Sequence, residues 1–352
     1  MSLQNTLAVI SQAGRSLSFF DLASGERVLH VSNLTAEPHE VAYDSKTKKL
    51  YISHTYEYGF YNRHGDYGNT ISVFDIEQQI VSGTIDISPY RGPHGLHLSC
   101  NADILFISVE GGFDGTFGPG GVIGIELSSG DYQLVKAVAS VARSHWLVVS
   151  EDGKKAYTTN KEREYISVLD LADEKLAKQI PIPGSEDGDI SSDGRFVYYP
   201  FPTLDLKLTM PLGEFGFKVI DTKTDEVTRT MLTDLPVMSI KCTSKGKLAV
   251  GQYATKIDAI SQQLVPFNGK VTIYDSQSLE AEGEVTVGLF PLTMLASLDG
   301  DTLFVANMAS GTVDIIDMNG KKTLKTFLVD AGAGKVENAP IYQGAHGMAL
   351  IA

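Results

Sequence analysis

Cysteine is almost missing from this chain. Its 352 residues include two, Cys100 and Cys242, and no Cys-x-x-Cys pair. Two thiols cannot build a disulfide framework, so a reducing cytoplasm is the expected compartment. Long apolar runs are also missing: none approaches the ~20 residues of a membrane span. The opening Met1-Ser2-Leu3-Gln4-Asn5 lacks the basic stretch and apolar core of a signal peptide. Basic clusters are absent too. With 29 Lys+Arg against 43 Asp+Glu, the formal charge is −14, which argues against nucleic acid and anionic membranes as partners. The glycine-rich Gly118-Pro119-Gly120-Gly121 is not followed by a Lys-Ser/Thr pair, and no Gly-x-Ser-x-Gly elbow occurs. Phosphate-loop and serine-elbow chemistry are therefore not supported.

Helix signals are scarce, and what replaces them is regular. Short runs alternate apolar and polar residues, broken by Gly, Asp, Asn and Ser, which reads as all-β. With 43% hydrophobic and 20% charged residues, the chain is expected to be globular with a large core. A strand ending in an acid recurs at Asp21, Asp75, Glu126, Asp170, Asp221, Asp275 and Asp317, with spacings of 54, 51, 44, 51, 54 and 42 residues. An acid opening a turn accepts hydrogen bonds from the backbone just beyond it, so these seven are expected to be structural. A second register, Ser-x-Asp-Gly, recurs at Ser150–Gly153 and Ser297–Gly300. Each unit then holds four strands, A to D, and such units repeated around an axis make a β-propeller. Seven acid turns give seven antiparallel blades in a single domain spanning residues 1–352. The last blade is sewn from three N-terminal strands, beginning at Thr6–Ser11, and one C-terminal inner strand within His346–Ala352. Closing the ring removes open edges, so a monomer suffices.

Tyr157-Thr158-Thr159-Asn160 and the run from Leu303 to Asp317 resemble the YVTN-type β-propeller repeat, and the resemblance covers nearly the whole chain. It implies the seven-bladed architecture. The family spans surface proteins, binding modules and enzymes, with distant similarity to lactonizing enzymes and streptogramin-type lyases; Pro93-His94-Gly95 is similar to the lyase repeat.

Aligning strand A of every blade brings His346, His39, His94 and His145 to one repeat position, followed by Glu186, Met238 and Leu292. Strand A lines the central channel, so four of the eight histidines are expected to ring its mouth. The plain reading is a set of polar groups facing channel water, copied by duplication. The chemical reading is a cage for a divalent metal of undetermined identity, with His39, His94, His145 and His346 as ligands. No organic cofactor is called for. Glu186 and His64 are the candidate proton-transfer residues. Without a metal, the imidazoles and Glu186 could still form an acid–base pair.

Loops above this ring are long and aromatic, and a small-molecule substrate is expected to bind there. Tyr56, Tyr58, Tyr61 and Arg63 come from blade 1, Phe113 and Phe117 from blade 2, Phe201 from blade 4 and Tyr253 from blade 5. Trp146 is expected to pack between blades. His54, Asn160, Gln252 and Asn307 share the end of strand B and could form a second polar ring, although the asparagines are expected to satisfy their own turns. The leading expectation is an enzyme for elimination, ring opening or ring closure: a lyase, lactonizing enzyme or cyclase. The alternatives are a metal-free cyclisation pocket and a non-catalytic binding propeller.

Overall fold

The computed structural model describes residues 2–35, 37–60, 63–114, 118–202, 213–257, 264–332 and 343–352. Among them there is no helix, and so none long and apolar enough to cross a membrane. Seven four-stranded antiparallel sheets form a seven-bladed β-propeller. Blade 1 runs Pro38–Asp44, Lys49–Tyr56, Tyr67–Asp75 and Ile80–Asp86; blades 2 to 6 repeat this order along the chain. Blade 7 joins Thr6–Ser11, Ser16–Asp21 and Arg27–Val31 to the C-terminal strand Met348–Ile351. Thr6 pairs with Ile351 and Val9 with Met348.

Burial follows strand position. Strands B and C pack against neighbouring blades on both faces, so Leu-Tyr-Ile-Ser at 50–53 and Val-Ile-Gly-Ile at 122–125 are fully buried. Apolar and β-branched residues fit such doubly covered strands. Strands D are largely exposed, as in Ile80–Asp86. The acid turns behave as expected: Asp75 accepts the N–H of Gln78 at 2.8 Å, and Asp275 that of Ser278 at 2.9 Å. Each turn then leaves through a left-handed residue, such as Gln79 (φ 58°) or Leu279 (φ 62°).

Two of the long loops are built from strand. The blade 1 loop carries a small hairpin pairing Gly59 with His64 and Phe60 with Arg63. In blade 5 the expected loop is a continuation of strands B and C, Lys247–Ile257 and Leu264–Asp275, paired as far as Ile257 with Leu264.

Candidate active site at the channel mouth

The ring histidines sit where strand A carries extra residues. In blade 1, Pro38 pairs with His54 and Val41 with Ile52, so His39 and Glu40 together face Ser53. In blade 2, His94 and Gly95 face Ser108; in blade 3, His145 and Trp146 face Thr159. Met238 and Leu292 are the extra residues of blades 5 and 6. A bulge breaks the in–out alternation of a strand and re-aims side chains, here toward the channel.

A hydroxyl holds each histidine-bearing bulge. Ser53 Oγ accepts the N–H of Glu40 at 3.0 Å and donates to the carbonyl of His94, in the next blade, at 3.0 Å. Ser108 accepts from Gly95 at 2.8 Å and donates to the carbonyl of His145 at 2.5 Å. Thr159 accepts from Trp146 at 3.1 Å and donates to the carbonyl of Ser185 at 3.0 Å. Thr293 donates to the carbonyl of His346 at 2.6 Å. His346 is brought in by ring closure, its N–H donating to Ile10 at 2.9 Å. Gly347 lets blade 7 approach blade 1, since a Cβ there would lie 2.8 Å from the His39 carbonyl oxygen.

These backbones bring all four imidazoles together, each at least 95% buried. Ring centroids are 4.1 Å apart for His346 and His39, 4.2 Å for His39 and His94, and 3.9 Å for His94 and His145. The Nε2 atoms of His39 and His94 share a hydrogen bond at 2.7 Å. His145 donates from Nδ1 to the Ser185 carbonyl at 2.6 Å, which leaves Nε2 with the lone pair. Burial, then mutual repulsion, drives His39 and His94 well below the usual histidine range; burial and Lys161 do so for His145. Neutral imidazoles with oriented lone pairs are what a divalent transition metal requires. Two sets of donor atoms lie close enough to hold an ion: His39, Glu40 and His346, and His94, Glu110 and His145.

Acids and one lysine complete the site. Glu186 is buried, and its carboxyl is pushed up to about 7 by desolvation, against the pull of Ser185 (2.7 Å), Lys161 and the Trp146 indole. Glu40 is likewise raised by burial, offset by His346. Lys161, with a side chain 6% exposed, pairs with the fully buried Glu110 at 3.0 and 3.2 Å and also reaches the Tyr56 hydroxyl. Desolvation holds Lys161 below the ordinary lysine range, while Glu110 works to raise it. Tyr56 donates to Glu110 at 2.7 Å. An acid raised by burial and an amine lowered by it, on one site, make a proton-transfer pair.

The aromatic residues expected to bind substrate divide. Tyr56 belongs to the buried Lys161–Glu110 cluster, and its ring stacks on His64 at 4.1 Å, placing His64 behind Tyr56 rather than against the histidine ring. His64 Nδ1 is occupied by the Gly65 carbonyl at 2.7 Å. Tyr58 is 64% exposed and packs over Gly65. Phe113 packs on Tyr90 at 4.9 Å, Phe201 belongs to the core shared by blades 3 and 4, and Tyr253 stacks on Phe290 at 4.8 Å. All three pack against apolar or aromatic neighbours, where an aromatic side chain gains by covering apolar surface. Tyr61 and Phe117 lie outside the described residues, as does the side chain of Arg63.

Trp146 is buried against rings of other blades, as expected, and those rings are the histidines. Its ring meets His94 at 4.9 Å and stacks parallel to His346 at 6.3 Å, so it belongs to the site. The strand-B polar residues do satisfy their own blades: His54 bonds Ser72 at 2.7 Å, Asn160 the Tyr165 carbonyl at 2.7 Å, Gln252 Asp234 at 3.1 Å and Asn307 Asp314 at 2.9 Å. Lys161 and Glu110 have no role in the sequence reading. The signal for them is positional: each stands two residues after the bulge-facing hydroxyl, Thr159 or Ser108, in adjacent blades and with opposite charge.

No protein-family model and no curated protein sequence matches the chain. Solved structures do. Hydrazine synthase from Kuenenia stuttgartiensis is 17% identical with a TM-score of 0.64, over 83% of this chain and 80% of that one. The dihydro-heme d1 dehydrogenase NirN, solved in complex with DHE, is 11% identical with a TM-score of 0.62, over 99% and 76%. A protein of unknown function from Desulfotomaculum acetoxidans is 11% identical with a TM-score of 0.66, over 98% of each chain. At these identities the propeller fold is what they share with this chain.

Proposed function

We propose that the channel mouth is the active site of an enzyme acting on a small organic molecule, with His39, His94, His145 and His346 holding a divalent metal. The reading is carried by one observation: four buried imidazoles meet over ring distances of 3.9–4.2 Å, beside a carboxyl whose affinity for protons lies near neutrality. When bound, the cation would polarise a carbonyl or developing enolate oxygen. Glu186, poised at about 7, takes a proton from a carbon beside that carbonyl or returns it to a leaving oxygen. Lys161 supplies positive charge to an oxygen that becomes anionic. The Tyr56 and Trp146 rings offer flat walls, and burial excludes water. That set suits elimination, ring opening or ring closure on a carbonyl-bearing substrate, the work of a lyase, lactonizing enzyme or cyclase. Two of the structurally similar proteins are named as enzymes, a synthase and a dehydrogenase, which supports catalytic use of the architecture.

The His39–His94 hydrogen bond favours a second reading, a metal-free imidazole relay serving the same proton transfers. A panel of lactones and hydroxy acids, assayed with and without chelator, separates the two. Turnover lost on chelation and in Glu186→Gln supports the metal-dependent enzyme. Turnover indifferent to chelator but lost in His94→Ala supports the relay. Activity unchanged in a His94→Ala/His145→Ala double variant overturns both.

A further inference from the structure

Resting on the channel-mouth site proposed above, we propose that Arg143 anchors a carboxylate carried by the substrate, which is therefore an organic acid. The assignment does not depend on the metal.

Arg143 stands at the entry to strand A of blade 3, just before Ser144, His145 and Trp146. Ser144 pairs with Asn160, and the Lys161 N–H donates to the Arg143 carbonyl at 3.3 Å. Arg143 and Lys161 are thus neighbours across one pair of strands, at the end that carries the histidine ring. The guanidinium acts further, on blade 1. Desolvation lowers Lys161 and His64, and Arg143 adds to both; desolvation raises Tyr67, and Arg143 opposes it. A charge that acts on blades 1 and 3 alike lies over the mouth between them.

That charge has no counter-ion. Acids outnumber bases in this chain by 43 to 29, so a partly buried arginine has many carboxylates to choose from. Among the described residues its guanidinium nevertheless makes no ion pair and no hydrogen bond. The nearby acids are engaged elsewhere. Glu110 is held by Lys161 and Tyr56, Glu186 by Ser185, and Glu162 accepts the main-chain N–H of Arg143 at 2.9 Å. A guanidinium never gives up its proton, so an unmet one favours an anion from solution. Its planar fork matches the two oxygens of a carboxylate through paired N–H···O bonds. One unpaired cation also matches a monoanion. A phosphate dianion would leave a charge unmet beside Glu110 and Glu162. His145 and Trp146 follow on the same strand, so an acid held at Arg143 is presented to the ring.

Trp146 is the sole tryptophan and packs on His94, so its fluorescence reports occupancy of the mouth. Chelator-treated full-length protein is titrated with benzoate, with its uncharged analogue benzamide and with phenyl phosphate, calorimetry serving as a second readout. Benzoate is expected to bind saturably, about tenfold or more tighter than benzamide, and tighter than phenyl phosphate. In Arg143→Gln the preference for acid over amide should vanish. Arg143→Lys keeps the charge without the fork and should retain part of it. Absence of saturable benzoate binding, equal affinity for acid and amide, a preference that survives in Arg143→Gln, or tighter binding of phenyl phosphate overturns the assignment. Should Arg143→Gln not fold, the wild-type and Arg143→Lys ratios decide. Failure here leaves a channel-mouth enzyme for uncharged substrates standing, because turnover with and without chelator is measured separately.

Discussion

Ser108 and His145 belong to different blades, and the hydroxyl of the first donates to the main-chain carbonyl of the second at 2.5 Å. The same hydroxyl accepts the N–H of Gly95, beside His94. One small side chain thus fixes the backbone under two of the four ring histidines. Ser108→Ala is expected to leave a buried N–H and carbonyl unpaired, costing about 1–3 kcal/mol. Urea denaturation measures the loss, and Zn²⁺ affinity should fall with it; an unchanged midpoint would show that the hydroxyl positions nothing.

Lys161 and Glu110 make the second inter-blade tie, and here the sign of a double variant is informative. Lys161→Met leaves a fully buried carboxylate without its cation and is expected to cost about 3–5 kcal/mol. Adding Glu110→Gln removes the stranded charge and should restore most of that stability. Equal destabilisation in the single and double variants would mean that the pair is not coupled.

The Glu186 carboxyl carries a pH dependence. Its folded value, about 7, lies above the ordinary 4.5, so the folded state binds the extra proton. The stability tied to that proton is complete below pH 4.5 and disappears as pH rises through 7. The difference is roughly 3 kcal/mol. In chelator-treated protein, Glu186→Gln should therefore gain stability over the wild type at pH 8 by about that amount relative to pH 4.5. Parallel denaturation curves at the two pH values would contradict it.

His54 works in the opposite direction. Burial lowers it from 6.5 to about 4, so the unfolded chain binds the proton more readily. The stability it contributes is present above pH 6.5 and is lost as pH falls through 4. His54→Gln, which keeps a polar group near Ser72, should flatten the loss between pH 6.5 and 4 by roughly 3 kcal/mol. An acid limb of unchanged slope would assign the titration elsewhere.

Much of this architecture was legible because its determinants are local and repeated. Asp75 and Asp275 cap turns two and three residues long, so their meaning survives in the linear chain. The ring was legible for the same reason: His39, His94 and His145 stand at one position of the repeat. The Lys161–Glu110 pair was not, because it joins residues 51 apart, and each alone reads as a charge in a loop. The packing partners of Phe113, Phe201 and Tyr253 were hidden because sequence gives an aromatic ring its appetite for burial, and only the folded chain decides what buries it. Trp146 packs between blades as expected, but its histidine neighbours were not legible. The bulge it shares with His145 turns it toward the ring, and bulges leave little trace in composition.

Four histidines scattered from position 39 to 346 are proposed to bind metal as a unit. Titrating chelator-stripped protein with Co²⁺ and recording the visible ligand-field spectrum tests it most directly. Intense bands, saturating at stoichiometric cobalt, lost in His94→Ala and retained in His54→Gln, are the expected result. A spectrum no different from aqueous Co²⁺, or bands that survive in His94→Ala, would contradict it.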